Sequence, residues 1–216
     1  FKLNLASIKL QNLSIIFKSI SKHLETSLNT CLLLNVEYVI ICPEAFRSEA
    51  ERLAIAHEEQ DGLSWIVASD EEVYNEFSSG TPDASAYRWF MKMLYDRHLA
   101  GISSIAPQYL LLMGDGTFDN RKLLHNSGPN TLLSYQSALN IMDETFAYPT
   151  DDYFGFLDDT DDNEFKETQM FVRLGIGRLP VSTIDQAHDV VNKLIAYMQE
   201  NQQGNWRSQL CFLADD

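Results

Sequence analysis

Positive charge is scarce in this chain. Its 216 residues hold 16 Lys and Arg against 31 Asp and Glu, a formal net charge of -15. A surface of that sign repels phosphate backbones, which argues against nucleic acid as a partner. It also offers no electrostatic grip on anionic membranes. Cysteine is scarce too: Cys31, Cys42 and Cys211 are the 3 present. None has CxxC spacing, and an odd count leaves no complete disulfide framework. Cys42 and Cys211 lie in or beside apolar strand-like runs and read as small buried hydrophobes. No stretch of about 20 apolar residues suits a membrane-spanning helix, and no signal peptide is visible. Phe1 is not a natural start and Leu-Ala-Asp-Asp at 213–216 reads as a cut end, so the expectation is a piece of a longer protein.

The motifs of several enzyme classes are also missing. There is no GxSxG elbow, no HExxH, no P-loop and no GxGxxG after the first strand. His57, His98 and His188 fall in helical patterns, and neither they nor His23 and His125 stand near a strand-end cysteine. A Cys–His pair needs a thiolate and a base that meet in space, and nothing in the sequence favours such a meeting.

The chain does have ample material for a core, at 45% hydrophobic and 11% aromatic residues, which argues against disorder. Residues 1–36 are the least regular and read as a helix or as the tail of a preceding region. From residue 37 onward the pattern alternates. Glu37–Cys42 is a β-branched run stopped by Pro43, and Phe46–Gln60 has helical spacing closed by Asp61-Gly62. Ser64–Ala68 is a second strand and Glu71–Phe77 a short helical turn. Thr81 and Pro82 look like the N-cap and first position of a long helix over 84–100. Tyr109–Met113 is uniformly apolar, as in a parallel sheet covered on both faces. After a loop-rich stretch come strands at Tyr153–Leu157 and Met170–Gly177, a helix at Thr183–Gln199 and a last strand at Gln209–Ala214. Strand and helix in alternation predict an α/β fold, a mostly parallel sheet with helices on both faces.

In open α/β sheets, ligands gather beyond the carboxyl ends of strands. Asp115 follows one strand and Asp215-Asp216 another, with Thr150-Asp151-Asp152 expected on the same edge. Carboxylates so placed suit a hard cation such as calcium. The loop Asp158–Glu164 adds oxygens at alternating positions, but its register is not that of an EF-hand. The plainer reading is a solvated acidic loop.

Several motifs then point one way. Glu37-Tyr-Val-Ile-Ile-Cys-Pro-Glu-Ala-Phe46, followed by Glu49-Ala-Glu-Arg-Leu-Ala54, resembles the opening strand and helix of gingipain-like cysteine peptidases. Val73–Asp83 is similar to the surface-sortase (PorU-type) branch of that family. Tyr109–Gly116, Gly175-Ile-Gly-Arg-Leu-Pro180 and Trp206-Arg207 before Cys211–Asp216 continue the match in order, over residues 36–216.

The resemblance implies a caspase-like catalytic domain of two α/β halves, with 37–216 as the first. The catalytic His and Cys would belong to the second half, outside this chain. Asp216 matches an acid that orients the catalytic His, and Asp215 is the other candidate. Such an acid would hold the imidazole tautomer and stabilise its charged form. The resemblance also implies structural calcium, with Asp115, Asp158, Asp161 and Asp162 as its ligands. The implied parent is a sortase of type IX secretion at the surface of a Gram-negative outer membrane. Its partners would be the second half-domain, protein or peptide substrates and secretion-system components. Two alternatives stand beside this reading. One is a non-catalytic assembly module that has lost its dyad. The other is a receiver-like domain, whose phosphoacceptor pocket the strand-end acids mimic, although the long 117–169 segment fits that fold poorly.

Overall fold

The structure is a computed structural model, and it describes residues 35–125, 128–136, 148–158, 171–199, 204 and 208–212. Six strands are formed among them: β1 (Tyr38–Cys42), β2 (Trp65–Ser69), β3 (Tyr109–Met113), β4 (Tyr135–Gln136), β5 (Pro149–Thr150) and β6 (Gly175–Leu179). Four α-helices accompany them: α1 (Arg47–Asp61), α2 (Asp70–Phe77), α3 (Ser85–Leu99) and α4 (Ile184–Gln199). The main sheet is wholly parallel in the order β2-β1-β3-β6, and β4-β5 is a small antiparallel pair.

Side-chain alternation divides the sheet between two cores. Val39, Ile41, Leu110 and Leu112 face α2, α3 and the Tyr153–Leu157 segment. Tyr38, Ile40, Cys42 and Met113 face α1 and α4. All five residues of β1 are buried, as a central parallel strand requires. The chain runs outward from β1 to β2, then crosses back to β3 on the far side of β1. The junction of β1 and β3 is therefore the switch point of a doubly wound sheet.

Local chemistry explains the main boundaries. Gly62 closes α1 at φ +72°, a left-handed position open to glycine, with its N–H on Glu58 O at 3.0 Å. At the start of α2, Ser69 Oγ accepts from Glu72 N (3.2 Å) while Glu72 Oε2 accepts from Ser69 N (2.8 Å), a reciprocal capping box.

Four expectations are corrected. Thr81 does not cap α3: its N–H goes back to Ser78 O, and Asp83 Oδ1 instead accepts from Ser85 N at 2.8 Å. Tyr153–Leu157 is not a strand but a 3-10 turn over Asp152–Gly155 and a single bridge from Phe156 to Val172. Tyr153, Phe154, Phe156 and Leu157 are all buried, which an alternating strand with one covered face does not give. β6 begins at Gly175 rather than Met170 and continues through Arg178, because its ladder to β3 pairs Tyr109 with Gly175 and Met113 with Leu179. Finally, Gln209–Phe212 stands outside the sheet, with Leu210 and Phe212 exposed and Cys211 exposed rather than buried. A strand is held by its ladder partner, and no described strand pairs with this run.

Among the described residues, no helix is long and apolar enough to cross a membrane.

Candidate functional site

The carboxyl edge of the sheet is organised by one cation. Arg178 lies near the end of β6, and its guanidinium reaches across the strand ends. Nε and Nη2 donate to the two carboxylate oxygens of Asp151, both at 2.8 Å. Nη1 donates to Gly114 O at 2.9 Å, and Nη2 to Leu133 O at 3.1 Å. A planar fork of donors suits such bidentate and multi-carbonyl binding. Arg178 therefore ties β3, the loop before β4 and the loop after β5 to one point. Close approach makes this possible. A Cβ on Gly114 would stand 2.7 Å from Leu132 Cβ, so only glycine lets that loop lie on the strand end.

Asp115 is fastened by its backbone as much as by its side chain. Its N–H donates to Val181 O at 2.9 Å, and its carbonyl accepts from Thr131 N and Leu132 N at 2.8 and 2.9 Å. Its carboxylate accepts from Ser182 Oγ at 3.3 Å. Asp115, Thr117, Ser134, Thr150, Asp151 and Arg178 line a cavity of about 230 Å3. The expectation that the Thr150–Asp152 loop shares this edge with Asp115 is met. Arg178 as its organiser was not anticipated. The signal was a single arginine within the apolar Gly175–Pro180 motif.

The other end of the edge is also charged. Arg47 Nη2 donates to Glu72 Oε2 at 2.6 Å, Nε to Glu44 Oε2 at 2.8 Å and Nη1 to Val67 O at 3.1 Å. Asp70 follows β2, and burial is the main cause that raises its carboxyl to about 6, opposed by backbone hydrogen bonds. Cys42 ends β1 with its thiol pushed up to about 12, chiefly by burial. A thiol so held is no nucleophile at neutral pH.

Three of the described histidines, His57, His98 and His188, are engaged elsewhere. His57 Nδ1 is 2.7 Å from Asp61 Oδ2, and His98 Nδ1 is 3.3 Å from Ser103 O. His188 Nδ1 sits 3.1 Å from both Glu49 Oε1 and Arg52 Nη1, between α1 and α4. No hydrogen bond or ion pair among the described residues joins a cysteine to a histidine.

Of the expected metal ligands, Asp161 and Asp162 lie outside the described residues, as do Asp215 and Asp216. Asp158 is bound by Arg173, whose Nε donates to Oδ2 at 2.8 Å and whose Nη2 also reaches that oxygen. Asp115 and Asp158 do not share the cavity described above. Among the described residues no three His, Cys, Asp or Glu gather in a metal-binding group.

Comparison with known proteins decides the family. The sequence profile of peptidase family C25 matches residues 32–216. The chain belongs to peptidase family C25. No curated protein sequence matches it. The crystal structure of dimeric latent PorU from Porphyromonas gingivalis is similar at 38% identity and a TM-score of 0.65, covering 80% of this chain. The Arg-specific cysteine proteinase gingipain R shares the fold at 15% identity and a TM-score of 0.50, over 76% of the chain. This C25 chain spans 16% of the PorU chain and 28% of the gingipain R chain. The caspase-like fold of these relatives matches the parallel sheet and two-faced helical packing seen here.

Proposed function

We propose that this chain is the first α/β half of the catalytic domain of a surface cysteine endopeptidase. The parent would remove C-terminal signals from secreted cargo in type IX secretion, at the outer membrane of a Gram-negative bacterium. The observation that carries this reading is the 38% identity to PorU over 80% of the chain. The chemistry of the described residues is consistent with it. Cys42 is locked in the core as a neutral thiol, and among the described residues no hydrogen bond or ion pair joins a cysteine to a histidine. The nucleophile and base would then come from a second half-domain, and Asp216 would be the acid that orients the histidine. Cargo protein and secretion-system components would be the further partners.

Calcium belongs to the same proposal. A site drawing on Asp115 or Asp158 needs additional oxygen donors, since calcium takes about 6–8 of them. Asp161 and Asp162 are the residues from which they would come.

The deciding experiment is a cleavage assay on a peptide carrying a C-terminal secretion signal. This chain alone and the same chain extended through the following half-domain are compared. Cleavage only by the longer protein, abolished by thiol alkylation, is the expected result. Cleavage by this chain alone, lost in Cys42→Ser or Cys211→Ser, would overturn the proposal. Cleavage by neither would favour an assembly module without catalysis.

A further inference from the structure

The loop after β3 carries a charge opposite to that of the chain. From Thr117 to Ser134 its charged residues are Asp119, Arg121 and Lys122. Asp119 is 7% exposed, and its carboxylate is occupied from within the loop. Oδ1 accepts from Leu123 N at 2.9 Å and Oδ2 from Leu124 N at 2.7 Å. Arg121 and Lys122 are exposed, and among the described residues neither side chain forms a hydrogen bond or an ion pair. The tip of the loop is therefore cationic on a chain of net charge -15.

Apolar side chains stand on the same tip. Phe118 is 55% exposed, Leu123 76% and Leu124 55%. Large apolar residues exposed together mark an interaction surface. The backbone that presents them is tied down. Asp119 N–H donates to Thr117 Oγ1 at 3.3 Å, Lys122 N–H to Asp119 O at 2.9 Å, and Asn120 Nδ2 to Ser134 O at 2.8 Å. Lys122 sits in this turn at φ +53°, a left-handed position uncommon for lysine. Asp119 thus spends its charge on the turn and leaves Arg121 and Lys122 unopposed.

Position and charge together name the partner. Phe118 also lines the cavity that holds Arg178, so the tip adjoins the strand ends where ligands of α/β sheets gather. The acids of that cavity are engaged, Asp151 by Arg178 and Asp115 by Ser182. Two open cations beside three apolar side chains complement a segment in which carboxylates alternate with apolar residues. An anionic membrane fits less well, because the acidic remainder of the chain is repelled by it.

We propose that the Phe118–Leu124 tip docks an acidic, apolar-rich segment of a protein substrate. Arg121 and Lys122 pair its carboxylates, and Phe118, Leu123 and Leu124 cover its apolar side chains. That the segment belongs to a substrate rests on the peptidase reading; the docking itself does not.

Fluorescence anisotropy of a labelled peptide alternating Glu with Leu and Phe, added to the full chain, tests the docking. The same peptide with Gln for Glu is the comparison. The acidic peptide should bind at least tenfold tighter, and the difference should shrink as salt rises from about 50 to 500 mM. Arg121→Gln/Lys122→Asn should remove the preference. Lys193→Glu on exposed α4 lowers the net charge by the same amount and should keep it. Both variants are first checked for an unchanged melting transition; should the tip variant fail to fold, the peptide comparison and its salt dependence on wild type decide. Equal affinity for the two peptides, no binding of either, or an equal loss in Lys193→Glu overturns the proposal. So does binding to phosphatidylglycerol vesicles without binding to the acidic peptide, or a dimer in sedimentation that the tip variant abolishes with peptide affinity unchanged. In the protein extended through the following half-domain, the tip variant should raise KM for an acidic substrate at least tenfold with kcat unchanged, and an unchanged KM removes the substrate assignment. An acidic peptide that binds but is cleaved by neither protein fails the peptidase reading while upholding the docking.

Discussion

Replacing Arg178 by Met should loosen the carboxyl edge while leaving the sheet in place. The size of the effect follows from what the guanidinium holds. Its side chain is 14% exposed and that of Asp151 25%, so the pair is only partly screened by water. Methionine fills a similar volume but leaves the Asp151 carboxylate without its cation. It also removes the donors that reach Gly114 O and Leu133 O. Breaking a buried pair costs about 3–5 kcal/mol. Partial exposure places this one at the lower end, about 3 kcal/mol. For a chain of this size that corresponds to a fall of about 6–12 °C in Tm. Arg178→Lys should recover little of it, because a single ammonium cannot span both carboxylate oxygens and the carbonyls. The assay is urea unfolding of wild type, Arg178→Met, Asp151→Asn and the double variant. The double-mutant cycle should give a coupling of about 1–3 kcal/mol. A loss below about 1 kcal/mol, or additive single effects, would refute the reasoning and reduce the pair to an ordinary surface contact.

Three further outcomes are expected. Asp70 has a folded carboxyl raised to about 6, above the unfolded value of about 3.9. Its stabilising contribution is therefore full at low pH and is lost as pH rises through about 4 to 6. Asp70→Asn should flatten that part of the pH–stability curve and add about 1–2 kcal/mol at pH 7 after allowance for solvent screening. A curve of unchanged shape would contradict the assignment. In a Cys31→Ser background, a thiol reagent should label exposed Cys211 within seconds to minutes and buried Cys42 only on unfolding; rapid labelling of both would contradict the core position of Cys42. A calcium titration by calorimetry should show binding that weakens at least tenfold in Asp115→Ala, and identical isotherms would remove Asp115 as a ligand.

The fold was largely legible where burial is continuous. Val39–Cys42 and Leu110–Met113 are apolar runs bounded by Pro43 and Gly114, and a parallel strand covered on both faces needs little else. Gly62 marked the end of α1 for a stereochemical reason that acts within a few residues. The misreadings have local and long-range causes. Thr81, Tyr153–Leu157, Phe171–Leu174 and Gln209–Phe212 all have sequence patterns that suit the expected element. Thr81 is taken by a local turn to Ser78, three residues back, whereas Phe156 answers to a distant partner, Val172. Of the site, the strand-end position of Asp115 was legible from Gly114-Asp115-Gly116. Its relation to Arg178 was not, because those residues are far apart in the chain.

The sequence by itself determined the α/β class, the order of its main elements, the acidic surface and membership of a peptidase family. Those follow from periodicity, local backbone chemistry and ordered motifs, all of which are properties of neighbouring residues. Only the tertiary structure decided that β6 pairs with β3, that Arg178 gathers Asp151, Gly114 and Leu133, and that Phe118, Leu123 and Leu124 stand exposed beyond the end of β3. A guanidinium can serve many acceptors. Which of them it meets is settled by the register of a ladder and the crossing of the chain, and these emerge only when the whole core closes.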